Sequence, residues 1–172
     1  MKRVKLYIAM SLDGYVSRPD GSIDWLNRVE GEGDNGYFAF YSTIDTVIMG
    51  KLTYDWILQH AHQFPYAQRT CYVMTSKPTM NNANVTFTQE TPEEIITRCH
   101  EEGDGNIWLV GGAKLVKSFL NADLIDELII TIAPVLLGDG IPLFAKGIPT
   151  SEWKLIQTQT YNQFVELTYK KE

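Results

Sequence analysis

Four places in the chain carry small, hydroxylic or cationic residues of the kind a phosphate-rich ligand requires. They are Ser11-Leu12-Asp13-Gly14, Gly50-Lys51-Leu52-Thr53, Thr75-Ser76-Lys77 and Gly111-Gly112-Ala113. The last is embedded in IWLVGGAKLVKSFL (Ile107 to Leu120), where a large apolar run enters a glycine pair. Leu115, Val116, Phe119 and Leu120 then recur at helical spacing. A strand turning through glycines into a helix exposes unpaired N–H groups at a positive dipole end, which suits a diphosphate. Taken singly, each of the four places also reads as a helix cap or a tight turn.

Other chemistries find less support. The glycine pair lacks the G-x-G-x-x-G spacing of the usual dinucleotide fingerprint, and no Walker motif is present. His60 and His62 could ligate a metal from an extended segment, but no third ligand is near, so no metal is expected. Cys71 sits inside an apolar run without a histidine partner and reads as core. No serine stands in a nucleophile elbow.

The elements that must position these residues follow from pattern. Val4–Met10, Thr46–Met49, Thr70–Met74 and Asn106–Val110 read as buried strands, with a short one at Val85–Thr88. Lys51–Leu58 reads as a helix, and aromatics between Gly36 and Thr43 recur at helical spacing. Thr91-Pro92-Glu93-Glu94 is a helix start, with Thr91 as cap, Pro92 in the first turn and Glu94 closing a capping box. That helix should stop near Gly103. Glu127–Leu137 is a further apolar run, with Pro134 at a bend or edge. Trp153–Thr160 and Phe164–Tyr169 alternate and read as an antiparallel pair. Gly14 to Gly36 reads as a functional loop anchored by Ile23, Trp25 and Leu26. Strands alternating with helices predict an α/β fold whose mostly parallel sheet is covered on both faces.

The 172 residues suit one domain, residues 1–172, with an ordinary globular composition of 44% hydrophobic and 21% charged residues. A net charge of −6 argues against nucleic-acid or anionic-membrane partners, though not against a local basic pocket. No apolar run reaches membrane-spanning length, and Met1-Lys2-Arg3 leads straight into a strand-like run without a signal-peptide pattern. Cys71 and Cys99 suit free thiols of a cytoplasmic protein.

Taken together, the segments carry a resemblance. VIMGKLTYDWI (Val47 to Ile57), YVMTSKP (Tyr72 to Pro78) and IWLVGGAKLVKSFL resemble the cofactor segments of dihydrofolate reductases. SLDGY (Ser11 to Tyr15) and IAPVLLGDGIPLF (Ile132 to Phe144) resemble the reductase domain of bacterial riboflavin biosynthesis, the RibD C-terminal domain. The two families share a fold, and the chain resembles its small stand-alone members from Val4 to Tyr169. The resemblance implies a dihydrofolate-reductase-like three-layer α/β fold, its parallel sheet extended by antiparallel C-terminal strands.

It also implies NADPH as cofactor. Gly111, Gly112 and Ala113, behind Val110, would receive the diphosphate, with a cis peptide between the glycines. Gly50, Lys51, Thr53, Thr75, Ser76 and Lys77 would surround the 2′-phosphate, Lys51 standing where dihydrofolate reductases commonly have arginine. Ala9 and Met10 would line the nicotinamide pocket. Asp34 falls where those enzymes keep a substrate-binding carboxylate, making it the catalytic candidate, although it also suits a helix N-cap. Phe38, four residues on, would flank the substrate. Asp13 is the other carboxylate candidate, with a turn before Gly14 as its alternative, and Trp25 would close the pocket or simply pack in the core.

Two departures bear on the substrate. Val110 stands where riboflavin-pathway reductases usually have glutamate. Arg28 is followed by Glu30, Glu32 and Asp34, where those enzymes tend to carry phosphate-binding basic residues. The expected activity is NADPH-dependent reduction of a small heterocycle, of the 5-amino-6-(5-phosphoribosylamino)uracil reductase type. A dihydrofolate or pterin reductase and a non-catalytic NADPH sensor are the alternatives. Because related reductases are often dimers, pairing through Pro134–Leu137 and the antiparallel tail predicts a homodimer.

Overall fold

Alternate side chains of the central strands serve two different cores, and this alternation sets the layering in the computed structural model, which describes residues 2–172. In β3 (Ile44–Gly50), Val47 and Met49 enter one core while Ile48 enters the other. In β6 (Asn106–Gly111), Trp108 belongs to the first core and its neighbours Ile107 and Leu109 to the second. Strands with both faces buried need a covering layer on each side. One is α1 (Tyr37–Tyr41) and α2 (Lys51–His60), contributing Phe40, Tyr54 and Ile57. The other is α3 (Pro92–Glu101) and α4 (Ala113–Asn121), contributing Ile95, Ile96, Cys99, Leu115, Val116, Phe119 and Leu120.

The main sheet is completed by β1 (Val4–Ser11), β4 (Thr70–Met74), β5 (Thr86–Thr88), β7 (Glu127–Ala133), β9 (Trp153–Tyr161) and β10 (Phe164–Lys171). Its order is β5-β4-β3-β6-β1-β7-β10-β9. The pairs from β5 through β7 are parallel, and β10 pairs antiparallel with β7 and β9. The expected α/β sheet with an antiparallel tail is therefore present.

Local signals explain the boundaries. Thr91 accepts a hydrogen bond from Glu94 N at 3.3 Å and donates its own N–H to the Glu94 carboxylate at 2.8 Å, closing the capping box of α3. The strand expected to run to Leu137 ends at Ala133. Pro134 follows, and it has no N–H to continue a ladder. The expected loop from Gly14 is more ordered than its composition suggests. Its β2 (Tyr15–Ser17) pairs with β8 (Ile141–Pro142), and Leu26–Arg28 forms a 3₁₀ turn.

Charges at the amino ends of the parallel strands are structural. Lys2 is buried and reaches Asp45 at 3.1 Å and the Cys99 carbonyl at 2.9 Å. Buried Glu127 pairs with Arg3 at 2.7 Å and Lys5 at 3.1 Å. Burial alone would raise its carboxyl, but these cations hold it below the usual range. The opposite, carboxyl ends of the strands carry the residues singled out from sequence.

Candidate functional site

Adjacent parallel strands β3 and β6 feed helices on opposite faces of the sheet, α2 on one side and α4 on the other. Such a divergence opens a crevice at the carboxyl ends, where ligands of open α/β sheets bind. Gly50 and Gly112 are the N-caps of α2 and α4, and neither helix has a side-chain cap. Their first-turn N–H groups are left for a ligand, in contrast to the capped α3. The strand ends also approach closely. A Cβ on Gly50 would lie 3.8 Å from Gly112 N and 3.9 Å from Gly111 O, and one on Gly112 would lie 3.5 Å from Thr53 Oγ1. Gly111 has φ +121°, in the region that favours glycine, and the Gly111–Gly112 peptide is cis. Two uncapped helix ends meeting at glycines form a cradle that fits the diphosphate of a dinucleotide.

The hydroxylic and cationic residues border this cradle. β4 lies beside β3 with Met74 opposite Gly50, so Thr75, Ser76 and Lys77 follow directly beside Gly50 and Lys51. Lys77 N donates to Thr75 Oγ1 at 3.2 Å. Lys51 is partly exposed and pairs with Asp55, one helical turn on, at 2.6 Å. An anion at Lys51 must therefore compete with Asp55.

A second feature lies across β1 and β7, on the face that carries α1. A cleft of about 360 Å³ is lined by Tyr7, Ile8, Ala9, Leu26, Asn27, Val29, Asp34, Asn35, Thr131 and Phe164. Ala9 pairs with Thr131, and Thr131 with Glu166 on β10, so the three form one row of the sheet in which Ala9 and Thr131 line the cleft and Glu166 lies next to it. Thr131 Oγ1 donates to Glu166 Oε2 at 3.4 Å. Burial raises the Glu166 carboxyl above its ordinary range, with the Thr131 hydrogen bond opposing. Tyr7 and Tyr161 are raised chiefly by burial, and both also feel the negative charge of Glu166 and Asp34. Asp34 and Tyr7 line the cleft itself, and Glu166 and Tyr161 lie beside it.

A model of the RibD C-terminal domain family matches residues 2–167. The chain belongs to this family. Among its relatives, YwjB of Bacillus subtilis (strain 168) is 47% identical over 169 residues, 98% of this chain and 97% of that protein. A crystal structure from Shewanella sp. PV-4, provisionally assigned to riboflavin biosynthesis, is 28% identical with a TM-score of 0.91 over 99% of each chain. Dihydrofolate reductase from Enterococcus faecalis, complexed with NADP(H), is 20% identical with a TM-score of 0.72, over 99% of this chain and 96% of that one. The fold is dihydrofolate-reductase-like.

Within this RibD C-terminal-type domain, the residues singled out from sequence occupy unequal positions. Gly50, Lys51, Thr53, Thr75, Ser76, Lys77, Gly111, Gly112 and Ala113 gather around the crevice, with Val110 packed toward the α2 core. Ala9 lines the cleft, but Met10 packs against the α3–α4 core. Met10 is absent from the cleft lining, its side chain being on the opposite face of the sheet from that of Ala9. Asp34 does line the cleft, and its carboxylate also accepts from Gly36 N at 3.0 Å and Phe38 N at 2.8 Å. Asp34 thus lines the cleft and binds two N–H groups at the start of α1, where Gly36 is the residue at the N-cap position.

Three expectations are corrected by the geometry. Asp13 is no open substrate ligand: it accepts from Ser11 Oγ at 2.6 Å, Leu137 N at 3.1 Å and Gly138 N at 2.8 Å. It clasps the loop after β7 to the end of β1, and these donors, led by Ser11, lower its carboxyl to about 2. Phe38 does not line the cleft and stands 73% exposed, because Phe40 takes the buried face of α1 and stacks on Tyr7 at 4.0 Å. Trp25 is 2% exposed and packs with Ala133 and Phe164, lining a neighbouring cleft with Arg18 and Arg28 instead. Of the histidines, His60 stacks on Trp56.

Thr131, Glu166, Tyr7 and Tyr161 were not singled out from sequence. Their elements read simply as strands, and only pairing across β1, β7 and β10 brings Tyr7 and Thr131 into the cleft and Glu166 beside it. A glutamate alternating with apolar residues in Phe164–Tyr169 was the one available signal, and it also describes an ordinary exposed strand face.

Proposed function

We propose that this protein is an NADPH-dependent reductase that passes a hydride to a small nitrogen heterocycle. The pyrimidine reduction of riboflavin biosynthesis is the reference reaction. The observation that supports it most directly is the meeting of two uncapped helix ends, α2 and α4, at Gly50 and Gly112. NADPH, when bound, supplies the hydride. The first-turn N–H groups of α4 hold the diphosphate, while Lys51, Thr53 and Thr75–Lys77 hold the 2′-phosphate. Ala9 and Thr131 floor the acceptor cleft. Asp34 keeps lone pairs beyond its two cap bonds and orients ring N–H groups or assists protonation.

Calorimetric titration with NADPH and NADH tests this reading. NADPH is expected to bind, and Lys51→Ala should weaken it about tenfold while leaving NADH nearly unchanged, the scale of one charge-assisted contact. Absence of NADPH binding at millimolar concentration would sink the cofactor assignment, and equal losses for both nucleotides would remove Lys51 from the 2′-phosphate site.

A homodimer is part of the same proposal. The outer strand β9 is exposed along most of its length, and Leu136, Leu155, Ile156 and Val165 are exposed apolar residues on or near the antiparallel edge. An unpaired edge with apolar neighbours is suited to self-association.

A further inference from the structure

Asp34, in the cleft wall, and Glu166, beside the cleft-lining Thr131, are not equivalent in what they have free. Both oxygens of Asp34 already accept backbone N–H groups, whereas Glu166 is held only by one long contact from Thr131 to Oε2. Among the described residues no salt bridge reaches Glu166. The groups whose electrostatics couple to it come from separate elements: Tyr7 on β1 and Tyr161 at the end of β9. Thr131 on β7 supplies the hydrogen bond, and Asp34, before α1, acts on the same two tyrosines. None of these is a cation. A half-buried carboxylate without a cation is a cost to the fold that a ligand donor could offset.

Its position gives that ligand a shape. The row Ala9–Thr131–Glu166 spans two strand spacings, about 10 Å between the outer residues. A flat ring lying over Ala9 and Thr131 therefore meets Glu166 at its far edge and Asp34 at its side. A carboxylate accepts only, so it selects amino or ring N–H groups over carbonyl oxygens.

Resting on the reductase reading, we propose that Glu166 is a specificity-determining residue that binds the N–H donor edge of the heterocyclic substrate. Donor-rich aminopyrimidine edges are accepted, and edges presenting carbonyl oxygen to Glu166 are disfavoured.

The test uses the full chain saturated with NADPH and two simple probes, 2,4-diaminopyrimidine and uracil, titrated by calorimetry. Wild type is expected to bind the diamine more tightly, and Glu166→Gln to lose about tenfold for the diamine with little change for uracil, a ratio equivalent to about 1.4 kcal/mol. NADPH affinity should be the same in wild type and Glu166→Gln. Carbon-13 NMR of wild type supplies a second reading: the Glu166 carboxyl carbon should titrate above the ordinary glutamate range and move lower when the diamine binds. An unchanged diamine-to-uracil ratio in Glu166→Gln, or no diamine binding at millimolar concentration, overturns the proposal. A protein that does not bind NADPH at all fails the reductase reading instead, and the two failures are separable.

Discussion

Asp34 shows how one residue can serve two roles that compete on paper. Its carboxylate accepts from Gly36 N and Phe38 N at the turn into α1 while also walling the cleft over β1 and β7. The turn depends on Gly36, which caps α1 at φ 77°, and a Cβ there would collide with the Tyr161 hydroxyl. Gly36→Ala therefore meets both left-handed strain and a steric clash. We predict a loss of about 1–2 kcal/mol in urea unfolding, together with displacement of Tyr161 from its packing beside Phe164. Unchanged stability would show that the loop relaxes freely. At this scale the sequence was half legible. The resemblance to dihydrofolate reductases pointed to Asp34, which lines the cleft, but it could not say that Phe38 would face solvent and Phe40 the core. A five-residue helix is too short for its pattern to settle which face is buried.

Among the elements, the loop after β7 owes its place to Asp13. Leu12 N donates to Val135 O at 2.9 Å, and the Asp13 carboxylate gathers Leu137 N and Gly138 N beside Ser11 Oγ. Because folding lowers this carboxyl from 3.8 to about 2, the clasp contributes stability that is fully present above about pH 4. That contribution is lost as the pH falls through the window toward 2. Thermal melts of wild type and Asp13→Asn should therefore differ by a constant amount above pH 4 and converge below it. A gap that stays constant down to pH 2 would remove the ionised clasp. The element boundaries themselves were mostly readable: Thr91, Pro92 and Glu94 announced α3, and the apolar runs announced β1, β3, β4 and β6. The pairing of β2 with β8 was not, because it joins two short segments about 125 residues apart whose only local signals are turn residues.

At the level of the molecule, the exposed edge of β9 and the apolar residues near it form the surface most suited to a second copy. Sedimentation equilibrium is predicted to give twice the 19.6 kDa chain mass. Introducing arginine at Leu155 and Ile156 should shift the protein to monomer by placing repelling charge on the paired face. A wild-type monomer at micromolar concentration would rule this assembly out.

The sequence by itself determined the layered α/β fold, the capped start of α3, and the glycine-rich strand ends that suit a phosphate-rich ligand. Each of these rests on short-range physics: side-chain periodicity, backbone freedom at glycine, and orphan N–H groups at helix starts. Only the tertiary structure decided which polar residues share a pocket. Strand order β1-β7-β10 aligns Ala9, Thr131 and Glu166 from distant parts of the chain, and the clasp at Asp13 withdraws a carboxylate that looked available. Both outcomes come from long-range pairing and from which donors happen to lie opposite each acceptor. Spacing along the chain carries no record of either.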